Sequence, residues 1–193
     1  FRIMRQAIRD MRSGVAGVFA LLTFRPDWRK HFDVSAEGVA RSFSGVILAL
    51  PAFFFLIVGV NYFYAENAAA YTADMRFTLV DAVISWARFW LLFPVVAAVV
   101  VMVMGLKDRF ASWLVVHNWT VFVLVHVQAL LLALYPAGLA DPGAIGQAMT
   151  LYSLLRLFIH WRVAQGAMGL PPIMAAAAAS IPLIIDRLIL SVT

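Results

Sequence analysis

Apolar residues in this chain fall in long uninterrupted runs, not in the one-faced or alternating patterns of a water-soluble domain. Residues 42–64 carry no charge, and at about 20 residues per crossing they suffice for one tilted helix through hydrocarbon. Similar runs follow at about 88–106, ended by Lys107, Asp108 and Arg109, and at 111–135, ended by Pro136, Ala137 and Gly138. Another covers 172–192, entered through Pro171 and Pro172, which suit the first turn of a helix. The run at 145–165 differs because Arg156 lies near its middle. A central Arg costs about 2.5 to 3.5 kcal/mol on the insertion scale, while each neighbouring Leu, Ile or Phe returns about 0.3 to 0.6. The two sums nearly cancel, so this span needs support from its neighbours. The pattern predicts an all-α membrane protein, a bundle of about five transmembrane helices over residues 36–193. Ser35, with Glu37 in the next turn, fits an N-cap and starts the first helix near Ala36. Residues 62–77 read as an outer loop, and Arg41 marks the inner surface.

Ahead of the bundle, residues 1–35 form a cytoplasmic-side arm and its connection. Arg2, Arg5, Arg9 and Arg12 recur at spacings of three, four and three, which places them on one helical face. Ile8, Met11, Val15, Val18 and Leu22 line another. Such a helix is expected to lie in the membrane interface, guanidinium groups among anionic head groups and apolar face in the acyl boundary. Trp28, in a connection that mixes aromatic and basic residues, suits the head-group zone.

Composition narrows the function classes. Of 193 residues, 64% are hydrophobic and only 13% charged, with a mean hydropathy of +0.90. A soluble domain carries about 25% charged residues, so a soluble enzyme or nucleic-acid-binding module is excluded. Eight of the fifteen basic residues lie in the first 41 positions, which assigns the net charge of +5 to topology and places the N-terminus in the cytoplasm. With five spans the C-terminus then lies on the periplasmic side. Cysteine is absent, which removes disulfides, thiol catalysis and Cys-ligated metals from this chain. No H-E-x-x-H, G-x-S-x-G or Walker-type motif occurs, so no enzyme activity is expected. The chain opens on Phe1 instead of Met, consistent with a start further upstream.

Ionisable groups inside spans are the functional candidates. Tyr152, Arg156 and His160 repeat at four-residue intervals and form one polar stripe. Asp186, at similar depth on the last span, is the expected ion-pair partner of Arg156; the same stripe could instead bind an anion or relay protons. Arg88, beside Trp86 and Trp90, is expected to reach the head groups. His117 and Gln128 are eleven residues apart and nearly eclipse on a helix, whereas His126 points to the opposite side. No metal or cofactor is expected; bis-histidine haem through His117 or His126 with His160 is the alternative to interhelical hydrogen bonding. The small residues Gly45 and Ala49 and the stretch 175–180 provide faces for close helix approach.

The segment from Phe32 to Phe43, followed by Pro51, resembles the start of a group of uncharacterised proteobacterial integral membrane proteins. In number and arrangement of spans the chain is also similar to the Yip1-like five-span proteins. The resemblance implies a bacterial inner (cytoplasmic) membrane location and a five-helix bundle. The leading expectation is a non-enzymatic polytopic protein acting through helix and lipid contacts, as an accessory or assembly subunit of a membrane complex or a membrane-organising factor. Its partners would be anionic lipids and other membrane subunits or copies of itself. The alternative is a small-solute or proton-coupled transporter using the intramembrane Arg, His and Asp residues.

Overall fold

The computed structural model describes the backbone of residues 2–70 and 76–192, and the side chains of 4–70, 76–181 and Ile184. All regular structure among them is helical: α1 (Arg2–Leu22), α2 (Ala36–Ser42), α3 (Ser44–Glu66), α4 (Leu79–Ala87), α5 (Phe93–Val103), α6 (Phe110–Ala133), α7 (Pro142–Met168) and α8 (Pro172–Val192), with short 3-10 turns between some of them. Among the described residues, three stretches are long and apolar enough to cross a membrane, Ala36–Glu66, Leu79–Val103 and Lys107–Ala133. Helix α7 has the length but carries Arg156, His160, Arg162 and Gln165 among its apolar residues.

Local chemistry explains the boundaries. The Ser35 side chain accepts from the Gly38 amide at 3.1 Å and starts α2 at Ala36, as its sequence signature predicts. The helix then breaks for one residue at Phe43 before α3 begins. The second apolar segment starts at Leu79, nine residues earlier than its uncharged run, because Thr78 and Asp81 close a reciprocal capping box. This start is tied to α3: the Asn61 side chain donates to the Phe77 carbonyl at 2.9 Å and accepts from the Phe77 amide at 2.7 Å. Between α4 and α5 the helix widens into a π turn over Arg88–Leu92. Pro94 follows immediately and lacks the N–H that would bond back into the preceding turn. Asp141 caps α7 through the Ala144 amide, and Gly169, at φ 69°, ends it in the left-handed conformation.

Helix α6 is the axis of the bundle. It is buried from Trp113 to Phe122, with α3, α5 and α7 packed around it and α8 against α7 and α5. The small-residue faces are used in this packing. Gly45 sits beside Trp90 and Trp119, Ala49 is fully buried, and Ala175, Ala178 and Ala179 are buried on α8.

The arm departs from its expected place. Arg5, Arg9 and Arg12 are exposed, as are Met4 and Ile8, but Val18 and Leu21 are completely buried in protein. Gly14 lets α1 approach the Trp119 ring, and Leu21 and Trp28 pack on Gly166 of α7. The second half of α1 therefore covers α6 and α7 instead of presenting its apolar face to acyl chains. Arg2 lies in α1, but its side chain is outside the described residues. Trp28, expected among head groups, is only 4% exposed: the turn Trp28–His31 folds it beneath α1, edge-on to Phe32 and under the Arg29 guanidinium. Arg29 also donates to the Gly166 carbonyl at 3.0 Å.

Arg41 locks this cap. Its guanidinium meets Asp10 at 3.1 Å, Asp33 at 2.5 Å and Glu37 at 2.6 Å, joining α1, the connection and α2. The Asp33 carboxyl is held below its usual range, first by the Ser35 hydroxyl and amide and then by Arg41. A depressed carboxylate stabilises the docked cap above its unfolded value near 4, and that contribution is lost as pH falls through the folded-state value. Hydrogen exchange of the α1 amides is therefore expected to be insensitive to this group between about pH 8 and 5 and to show lost protection below about pH 4. Arg41→Gln should lower α1 protection already at pH 7. Unchanged protection in that variant would contradict the locking role.

Candidate functional site

A partly open chamber of about 110 Å³ lies between the π turn, α6, α7 and α8. Its position follows from the helix phases. On α6, His117, Val121, Leu124, Val125 and Gln128 fall on one side, and the eleven residues from His117 to Gln128 span about 16 Å along the axis. On α7 the four-residue repeat brings Tyr152, Arg156 and His160 to the same space. The π turn contributes Arg88, Phe89 and Leu92, with Phe93 beside them, and α8 contributes Ala179. A π turn displaces side chains from regular helical register, a geometry found often at functional sites.

The polar groups here are unevenly satisfied. Tyr152 is anchored, its hydroxyl donating to the Leu124 carbonyl at 3.1 Å across the α6–α7 interface. Between Phe93 and His160 lies the His117 ring, parallel to Phe93 at 3.3 Å and stacked on His160 at 5.3 Å between centroids. Its Nδ1 is buried and has no hydrogen-bond partner. Neither Arg156 nor Gln128 makes a hydrogen bond or ion pair with any described residue, and no carboxylate among the described residues lines the chamber. Buried polar groups are ordinarily satisfied, so the open His117 Nδ1 stands out, and with the half-buried Arg156 and Gln128 on the same cavity it offers a binding surface to a polar guest.

The sequence candidates separate cleanly. His117, Gln128, Tyr152, Arg156 and His160 meet at the chamber. His126 does not; its Nδ1 is 2.8 Å from the Phe122 carbonyl oxygen and its ring packs on Phe122. Asp186 lies on α8, but its side chain is outside the described residues, and so is its expected pairing with Arg156. Arg88, expected to reach outward to head groups, is at the chamber wall. Periodicity alone could not place it, because the π turn resets the phase of that segment.

The His117–His160 form of the haem alternative does not fit this arrangement: axial imidazoles point ring nitrogens at one iron, whereas these rings lie face to face at 5.3 Å with a 30° tilt. His126, the other named partner of His160, is not among the residues lining the chamber. Among the described residues, no group of three or more His, Asp or Glu could hold a metal ion.

No protein-family model, curated protein or solved structure matches this chain.

Proposed function

We propose that this chain is a multi-pass membrane protein that takes a small polar solute into the chamber and passes it across the bilayer. In this reading five segments cross: α3, the α4–α5 segment, α6, α7 and α8. The support for α7 is its packing between α6 and α8, with Arg156 on the chamber and not on lipid, which offsets the insertion cost of a central Arg. The Arg-bearing cap, Lys107, Arg109 and Arg162 gather at the cytoplasmic end, and Asp141 lies at the other. In this reading the C-terminus lies on the far side of the bilayer, and the membrane is the bacterial inner membrane that the sequence resemblance implies.

The observation that carries the reading is the meeting of Arg156, Gln128 and the buried, open Nδ1 of His117 at one cavity, with no hydrogen bond from any of them to a described residue. Of the three only His117 Nδ1 is fully buried, and leaving it open costs on the order of 1 to 3 kcal/mol that a purely structural bundle has no reason to bear. The accessory-subunit reading draws on short loops, the Arg-rich arm, the lack of a catalytic motif and small-residue faces for lateral contacts. Those faces at Gly45, Ala49 and 175–179 are largely occupied within the chain itself.

The absence of native cysteine makes the test direct. Ala179→Cys is a small change on the chamber wall. In oriented vesicles it should react with a membrane-impermeant thiosulfonate from each side of the bilayer, while the cysteine-free parent stays unlabelled. Labelling from neither side would defeat the solute-path reading.

A further inference from the structure

Resting on the solute-binding reading, the geometry points to a more specific occupant: we infer that the chamber binds a short-chain monocarboxylate, its carboxylate on Arg156 and its chain against the aromatic wall. Arg156 supplies a planar fork suited to two carboxylate oxygens and has no competing ion pair among the described residues. Gln128 and the open His117 Nδ1 add hydrogen-bonding capacity around the same space. Among the described residues, the wall carries the cation Arg156 and no carboxylate.

Size and lining decide which anion. A volume of about 110 Å³ is well below the roughly 300 to 1,000 Å³ of drug-sized ligand sites, so the guest has only a few heavy atoms. Most of the remaining wall is apolar, including Phe89, Phe93, Trp113 and Leu124. Inorganic oxyanions such as sulfate would lose hydration on all sides against that wall. A short carboxylate presents its charge to one end and a methyl or ethyl group to the other, matching the division of the lining.

The test is calorimetric titration of the detergent-purified native chain with propionate, with chloride and sulfate at equal ionic strength as controls. Propionate should bind saturably, and the two controls should not. Arg156→Gln should weaken propionate binding about tenfold or more, the loss expected for a charged hydrogen-bonding partner. Arg156→Lys, which keeps the charge without the fork, should fall between. No binding to the native chain, equal binding of all three anions, or an unchanged affinity in Arg156→Gln would each overturn the inference. Labelling of Ala179→Cys from both sides with no propionate binding would leave the solute path standing and remove only the carboxylate.

Discussion

Trp119→Ala is expected to destabilise the bundle by about 3 kcal/mol, a factor of more than 100 in the folding equilibrium. The ring is 3% exposed on α6 and touches two helices through their glycines, Gly14 of α1 and Gly45 of α3. Truncation leaves a cavity at the point where cap and bundle meet. The expected loss is at the lower end of the usual range for a buried Trp because some of the released surface meets lipid instead of water. Unfolding of the solubilised chain with a denaturing surfactant should show the shift, and hydrogen exchange should show α1 losing protection before α6. A loss below about 1 kcal/mol would mean that the cap does not depend on this contact.

The reverse change at the same contact has the second largest expected effect. A Cβ at Gly14 would overlap the Trp119 ring atoms Cγ and Cδ2, which belong to a rigid group held on its other side by Phe122. Gly14→Leu should therefore cost about 1 to 3 kcal/mol through overpacking and lift α1 from α6. Because the clash needs the ring, the double variant Gly14→Leu/Trp119→Ala should be less damaged than the sum of the single changes, by about 1 kcal/mol or more. Simple additivity would show that the two residues act separately and that α1 is not seated on Trp119.

Those contacts also show where sequence reasoning stops. Long apolar runs and the N-cap at Ser35 are local signals, and the helices around them appear where such signals place them. The phases of α6 and α7 were equally legible: spacings of eleven and four bring His117 with Gln128, and Tyr152 with Arg156 and His160, to one cavity and leave His126 outside it. What failed depended on distant partners. Trp28 has the composition of a head-group anchor, but burial on Gly166, 138 residues away in sequence, removes it from the surface. The part Arg41 plays in joining the cap was hidden too, because only the folding of α1 brings Asp10 beside it. The start of α4 was hidden because Asp81 in the capping box interrupts the uncharged run, and Arg88 changed direction because a π turn leaves no trace in hydrophobic periodicity.

Function follows from the same distinction. Charge distribution and hydropathy speak to location, while the chamber depends on which faces of α6 and α7 meet. Its chemistry lies in a few side chains whose polar atoms the described fold leaves unmatched. Among the described residues, three helices meet the length and hydropathy expected of a crossing segment without help. Helix α7 does not, and it carries Tyr152, Arg156 and His160 of the polar wall.

A single-cysteine scan along α7 therefore probes the account at its centre, with a small hydrophilic thiol reagent applied to the chain in lipid. Cysteine at Tyr152, Arg156 and His160 should label, whereas cysteine at Leu154, Leu157 and Phe158, which are exposed on the outer face of the bundle, should not. Labelling that ignores this division, or that is equal on both faces of α7, would contradict a water-reachable chamber inside a membrane bundle.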